Sequence, residues 1–336
     1  MKKLLMILFC ILLFCSCTPK KTESFDGKDR PSSRGQLQVI GKQLCGEDGQ
    51  PVMLRGISGN GVSVSERYIT DETFHEISHL MGANVFRMAM YTYGMGVVGY
   101  CTGANKNKLK DLVLKGVEYG ENNDMYVIID WHILSDGNPN KYIEDAKSFF
   151  DEISQQCKDK KNVIYEICNE PNKVEWSDVK EYANIIIPII RNNDPDSVIL
   201  VGTTNWSQDV DIAANDPLPY DNLMYSLHFY SATHKQELRD RAHQAIEKGL
   251  PIFVTEYGIC ASTGNYPMDI DEANVWIDFL EENGISHVMW NFSKAAEASS
   301  AIRADCLKAK DFTYEDFSES GQWLIDMIAE RSTQNK

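Results

Sequence analysis

The stretch NVIYEICNEP, residues 162 to 171, sets an apolar run (Val163, Ile164, Tyr165, Ile167) directly against Asn169-Glu170 and stops it at Pro171. Proline cannot donate to a sheet ladder and biases the preceding residue toward extended backbone, so the pattern predicts a strand with a carboxylate at its C-terminal tip. Eighty-six positions later LPIFVTEYG, residues 250 to 258, repeats the arrangement and places Glu256 at the end of a second β-branched, aromatic run.

Outward from these two runs, the same alternation extends over the chain. Strands are predicted at 52–57, 84–90, 125–131, 163–168, 198–202, 223–229, 252–256 and 286–292. Helices are predicted between and after them, at about 71–81, 107–122, 141–157, 177–192, 208–214, 235–248, 271–283 and 320–331. Several begin at plausible caps, such as Thr70-Asp71-Glu72, or end in glycine, as at Gly249 and Gly284. Before the first unit, Leu37 to Leu44 reads as one arm of a small hairpin that turns at Gly46-Glu47-Asp48-Gly49 and returns through Val52, Met53 and Leu54. Eight β-then-α units with near-continuously apolar strands predict an α/β fold, a closed (β/α)8 TIM barrel with a short N-terminal β-hairpin. An open doubly wound sheet would call for a glycine-rich phosphate fingerprint, and Gly56-Ile57-Ser58-Gly59-Asn60-Gly61 lacks its spacing.

The 336 residues carry a net charge of −16, which sets unfavourable long-range electrostatics against nucleic acid and other polyanions. Lys2 and Lys3, the apolar run Leu4 to Phe14, and Ser16 before Cys17 have the plan of an export signal. That run is shorter than the roughly 20 residues of a membrane span. Its ending, Phe-Cys-Ser-Cys, resembles a bacterial lipoprotein box, with Phe14 departing from the usual leucine. The chain is therefore expected to divide into a signal peptide (1–16), a lipidated Cys17 with a flexible tether (17–35), and a barrel domain (36–336). Such a protein would be exported and membrane-anchored, on the periplasmic side or at the cell surface; plain secretion or a differently placed cleavage site are the alternatives. Cys45, Cys101, Cys157, Cys168, Cys260 and Cys306 show no CxxC spacing, so no zinc site is indicated; an exported chain permits one or two disulfides, with buried free thiols as the default.

In a barrel of this kind active sites gather at the C-terminal ends of the strands. Those ends supply Asn60, Arg87 with Tyr91, Trp131-His132, Asn169-Glu170, Trp206, His228-Phe229-Tyr230, Glu256 and Trp290-Asn291. Singly, most have structural readings: an ion pair, a core histidine, a packed tryptophan. Jointly, two carboxylates facing each other suit glycosidic cleavage, in which one is protonated to release the leaving oxygen and the other is ionised to attack or to activate water. Arg87 would keep one carboxylate ionised, Tyr230 would orient it, Asn169 would bond a sugar hydroxyl, and Trp and Tyr faces would stack on pyranose rings. The chemistry requires no metal or cofactor.

From about Arg55 onward the chain resembles glycoside hydrolase family 5 and, within it, the bacterial endoglucanase (cellulase) subfamily. The resemblance rests on NVFRMAMYT, YVIIDWHIL, NVIYEICNEP, WSQD, LHFYSATH, FVTEYG and HVMWNFS, in that order. It implies a retaining double displacement on β-linked glycans, with Glu170 as acid/base and Glu256 as nucleophile. It further assigns Arg87 and Tyr230 to positioning the nucleophile, and Asn169 to the hydroxyl beside the reacting carbon. His132 and His228 fall to the pocket wall, Trp290 to the sugar platform, and Tyr91 and Trp206 to the cleft on either side. A monomer acting on a β-glucan polysaccharide or oligosaccharide is expected, with the membrane as its second partner through Cys17.

Asn60 and Val64 stand where relatives usually have histidine and tryptophan, and Ala295 where lysine is common, with Lys294 beside it. These positions serve the non-reducing side of the substrate. The loop Tyr93 to Ala104, rich in Gly and Tyr, is the sequence's candidate for replacement surface. Another β-glycan (mixed-linkage glucan, xyloglucan, mannan), transglycosylation, and a non-catalytic glycan-binding lipoprotein remain as alternatives.

Overall fold

The computed structural model describes residues 28–94, 96 and 98–334; the expected signal segment and Cys17 lie outside the described residues. The chain enters at the base of the barrel. Arg30 Nη1 donates to Ser78 Oγ (2.8 Å), Ser32 N donates to Asp124 Oδ1 (2.8 Å), and the short helix α1 (Pro31–Arg34) lies between. Residues 29–35, expected as the end of a loose tether, are thus held against the barrel, because the buried Arg30 guanidinium and the Asp124 carboxylate fix the start of the segment and Tyr126 OH, donating to Gly35 O at 2.8 Å, fixes its end.

The hairpin pairs β1 (Gln38–Ile40) with β2 (Gln43–Cys45), Val39 opposite Leu44. Its turn falls at Gly41-Lys42, not at Gly46–Gly49 as expected: Gly41 has φ +61°, the positive φ that a two-residue hairpin loop demands. The Gly46–Gly49 reversal is a second, separate turn that brings Pro51 back beside Cys45. The first barrel strand correspondingly starts later than expected, at Arg55. Val52 and Leu54 are instead spent on plugging the barrel base together with Leu37 and Leu44.

Eight parallel strands then close the barrel. They are β3 (Arg55–Gly59), β4 (Val85–Tyr91), β5 (Tyr126–His132), β6 (Val163–Glu166), β7 (Val198–Gly202), β8 (Leu223–Tyr230), β9 (Ile252–Gly258) and β10 (His287–Phe292), with β10 pairing β3. The larger surrounding helices are α2 (Asp71–His79), α3 (Lys106–Asn122), α4 (Ile143–Cys157) and α5 (Trp176–Asn193). After α6 (Thr204–Ser207) and α7 (Val210–Asn215) come α8 (Gln236–Glu247), α9 (Ile270–Asn283) and α10 (Glu319–Gln334). The Thr70 side chain caps α2 by accepting from Thr73 N, and Gly284 ends α9 in the left-handed conformation, as their sequence positions predict.

Side chains alternate between the inside of the barrel and the helix layer. Val85, Tyr126, Ile128, Ile164, Val198, Leu200, Met224, Phe253 and Val288 fill the lower interior. Two residues further along the same inward rows the composition changes abruptly, to Arg87, Asp130, Glu166 and Ser226, all buried. This switch from an apolar plug to a charged layer is the floor of the site. Trp131, one residue out of phase, packs instead against Tyr100, Phe149 and Phe150 in the outer core.

Candidate active site

The site is assembled by three local devices. First, β9 carries one extra residue relative to both neighbours: Ser226 pairs Phe253 but His228 pairs Glu256, and His287 pairs Val254 while Met289 pairs Tyr257. Such a bulge re-aims side chains, and here it lets Thr255 and Glu256 both reach the interior. Second, β6 ends at Glu166, earlier than the expected 168, and the chain bends so that Asn169 and Glu170 lie over β7. Gly202 makes that passage possible, since a Cβ there would sit 2.2 Å from the Cys168 carbonyl oxygen. Third, Asn205, Trp206 and Ser207 form one left-handed turn, with φ of +55°, +56° and +57°, a conformation that costs energy and persists only where surroundings enforce it. Ser207 Oγ donates to Asn169 O (2.6 Å) and Trp206 N to Pro171 O (3.1 Å), which leaves the half-exposed Trp206 ring beside the Glu170 loop.

Arg87 is the hub. Its Nε donates to Glu166 Oε2 (2.7 Å), its Nη1 to Glu256 Oε2 (3.0 Å) and its Nη2 to Asn169 Oδ1 (2.6 Å), and Asp130 Oδ2 lies 2.9 Å from Nη2. Burial alone would lower its pKa, but Asp130, Glu166 and Glu256 together raise it, so the guanidinium stays charged. Tyr230 OH donates to the other Glu256 oxygen at 2.7 Å. Glu256 is therefore gripped on both oxygens by donors.

Glu170 sits in a different setting, largely buried and, among the described residues, without a cationic donor on either oxygen. Burial pushes its carboxyl up to about 8, with Arg87 pulling down and Asp130 and Glu166 pushing further up. Its Oε1 lies 3.0 Å from His228 Nδ1, and His228 Nε2 lies 2.8 Å from Thr255 Oγ1. Burial lowers His228 to about 4 and His132 to about 3, so both rings are neutral at neutral pH. The His132 Nδ1–H donates to Asp130 Oδ2 at 2.6 Å, an assignment that follows from the acceptor facing it. Its ring stacks on Trp290 (5.2 Å between centroids, 11° between planes) and meets Tyr91 edge-on. Among the described residues, Glu170, His228 and Glu256 are the group of three whose ligand atoms could share a cation, all within 4.8 Å of one another. Arg87, Tyr230 and Thr255 already engage Glu256 and His228, so the positive partner is built into the protein.

Every residue expected at the site is thus brought to the same mouth. Both glutamates, Arg87, Asn169, His132, His228 and Tyr230 share one hydrogen-bonded cluster, joined by Tyr91 and Trp290 through ring contacts and flanked by Trp206. The sequence reading passed over Asp130, Glu166, Ser226 and Thr255. A signal for the two acids was available: a charged residue inside an otherwise apolar strand, as in YVIIDWH and NVIYE, at the inward phase shared with Arg87.

The rim beside β3 differs from this floor. Asn60 Nδ2 donates to Ser293 Oγ (3.4 Å) and its Oδ1 accepts from Tyr91 OH (3.3 Å), while Val64 stands 46% exposed. Lys294 Nζ donates to the Cys306 carbonyl at 2.8 Å and does not take the place vacant at Ala295. In the 93–104 loop Tyr100 turns into the core and Tyr93 lies under the Lys141 ammonium, so neither ring provides a bare sugar platform there.

A family model described as Cellulase (glycosyl hydrolase family 5) matches residues 45–296. The chain is 46% identical over 300 residues to endoglucanase A of Butyrivibrio fibrisolvens, covering 88% of this chain and 69% of that protein. It is 44% identical over 301 residues to an endoglucanase of Clostridium saccharobutylicum, covering 89% and 66%. It therefore spans about two thirds of the length of these curated relatives. Among solved structures, cellulase Cel5C_n matches with a TM-score of 0.83 at 42% identity, covering 88% of this chain and 92% of that one. The catalytic domain of Thermobifida fusca endoglucanase Cel5A, in complex with cellotetraose, matches with a TM-score of 0.84 at 34% identity, covering 89% and 99%.

Proposed function

The chain belongs to glycosyl hydrolase family 5, the cellulase family, and from that membership we propose that it is a retaining endo-β-1,4-glucanase acting on internal bonds of cellulose-like β-glucans. The observation that carries this reading is the pairing of two carboxyls with different settings, Glu170 raised to about 8 and Glu256 held by Arg87 and Tyr230, with oxygens within 4.8 Å. Retaining enzymes hold their carboxyl groups about 5–5.5 Å apart, whereas inverting enzymes need roughly 6.5–9.5 Å to admit water between them.

In the first step a Glu256 oxygen attacks the anomeric carbon while the Glu170 proton passes to the departing glycosidic oxygen, forming a glycosyl ester on Glu256 and a free chain end. In the second, Glu170, now ionised, takes a proton from water as that water attacks the same carbon and Glu256 leaves. Arg87 and Tyr230 keep the Glu256 oxygens aligned through both steps, Asn169 bonds the neighbouring sugar hydroxyl, and the Trp290 ring carries the pyranose being cleaved. His132 and His228 wall the pocket, and Tyr91 and Trp206 extend it to either side. The cellotetraose held by the Thermobifida fusca domain supports a β-glucan oligosaccharide as the ligand class. Turnover assays of Glu170→Ala and Glu256→Ala with folded protein test the roles: both should lose hydrolysis, and wild-type activity in either contradicts the assignment.

A second reading concerns the polymer. With Val64 exposed and Lys294 turned to Cys306, the non-reducing side offers less stacking and less charge than the floor would accommodate, which favours a different or decorated β-glucan. Product profiles on a panel of cellulose, mixed-linkage glucan, xyloglucan and mannan decide between them. The leader supports an exported enzyme tethered by lipid on Cys17, and we propose that it acts as a monomer. Lipid labelling retained in Cys17→Ser would overturn the anchor.

A further inference from the structure

Glu166 is fully buried, lies between the two halves of the site, and has no part in the chemistry described so far. Its two oxygens face different ways. Oε2 accepts from Arg87 Nε at 2.7 Å, and Arg87 in turn holds Glu256. Oε1 accepts from Thr255 Oγ1 at 2.6 Å and from Ser226 Oγ at 3.2 Å.

The direction of the second set of bonds follows from counting protons. A carboxylate only accepts, so Thr255 must give its single hydroxyl proton to Glu166. Thr255 Oγ1 is then left as an acceptor, and the His228 Nε2 atom 2.8 Å away must be the protonated ring nitrogen. His228 is neutral, so its Nδ1 carries a lone pair, and the 3.0 Å contact to Glu170 Oε1 is a hydrogen bond only if Glu170 supplies the proton. Each bond in the series dictates the next.

We propose that Glu166 is a positioning residue that couples acid to nucleophile: one oxygen fixes the bond directions through Thr255 and His228 that keep Glu170 protonated, while the other holds Arg87 against Glu256. The inference rests on the roles given to Glu170 and Glu256 above. The other charged and titratable groups facing this series are Arg87, Asp130, His132, Glu256 and Tyr230, on β4, β5, β9 and β8, with His234 just after β8 beside His228 and the Cys168 thiol just after β6 beside Glu166. The Thr255 hydroxyl is hydrogen-bonded to His228 and Glu166, and to none of these groups.

Glu166→Gln keeps the shape but offers one acceptor where two are used. With its oxygen on Arg87, its amide donates to Thr255, the Thr255 proton turns to His228 Nε2, and the ring proton moves to Nδ1, where it favours ionised Glu170. The basic limb of kcat/KM should fall by about one to two pH units, the size of a charged hydrogen bond gained by the ionised form. An aryl glycoside whose leaving group needs no proton should lose only a few-fold, because the Arg87–Glu256 half survives.

Removing the Glu166 charge by itself also eases ionisation of Glu170, so Thr255→Val is the separating arm: it leaves every charge in place and removes the bridging hydroxyl, with His228 Nε2 then 3.9 Å from Glu166 Oε1, beyond hydrogen-bond reach. Thr255→Val should move the basic limb in the same direction, and Thr255→Ser should restore it. An unmoved limb in Thr255→Val overturns the proposal, whatever Glu166→Gln does and whether or not that variant folds, because Glu166 reaches Glu170 through Thr255. Equal losses on both substrate types in Glu166→Gln would likewise reduce Glu166 to a structural role. Wild-type hydrolysis in Glu170→Ala would instead break the underlying functional reading, a separate outcome.

Discussion

On the floor of the cleft all three guanidinium nitrogens of Arg87 are engaged by carboxylate or amide oxygens, and both oxygens of Glu256 are held by donors. At the rim beside β3, Val64 lies half exposed, Asn60 bonds weakly to Ser293, and Lys294 points at a backbone carbonyl. The contrast separates two demands on one barrel. The floor must hold charges in low dielectric, where an unpaired group is expensive, so each member constrains the next. The rim meets water, where a lost contact costs little, and its residues are free to follow the polymer.

The sharpest way to break this contrast is at the nucleophile. Glu256→Ala should abolish turnover of a β-glucan, a loss beyond the roughly 10⁴-fold at the top of what an acid–base group contributes. Glu170→Ala should lose about 10²–10⁴-fold on the polymer and far less on an activated aryl glycoside, measured side by side. Arg87→Met should destabilise the fold by about 3–5 kcal/mol, read from the denaturation midpoint, since it strips the buried Asp130 and Glu166 carboxyls of their shared cationic partner. A small effect there would mean that the floor is not the interlocked unit described.

Acidity gives the next smaller effect. Because burial raises the Glu170 pKa from 4.5 to about 8, the acid form persists through neutral pH and is lost above it. Initial-rate measurements should show kcat/KM falling about tenfold per unit once the pH exceeds that value. The smallest effect belongs to the rim: Val64→Trp should lower KM for long β-glucans about fivefold, corresponding to roughly 1 kcal/mol of ring stacking, with kcat unchanged. A change in kcat would show that rim and floor are coupled after all.

The barrel was legible because its strands are buried on both faces and read as continuous apolar runs, and Pro171 and the glycines after α8 and α9 mark clear boundaries. The tip residues were legible because polar groups ending such runs have few structural uses in common. What escaped the reading depended on phase and pairing. Asp130 and Glu166 became visible as one layer with Arg87 only when the inward rows were aligned, and the β9 bulge that presents both Thr255 and Glu256 leaves no mark in FVTEYG. The hairpin turn was misplaced because two glycine-containing turns lie within nine residues, Gly41 and Gly49 at their ends, and only the backbone shows which of them joins the paired strands.

The central claim is that the two glutamates act by double displacement across the floor. Proton spectra recorded during the first minutes of cello-oligosaccharide hydrolysis test it most directly. The β-anomer of the new reducing end should appear first and equilibrate later to the mixture; initial release of the α-anomer would contradict the account.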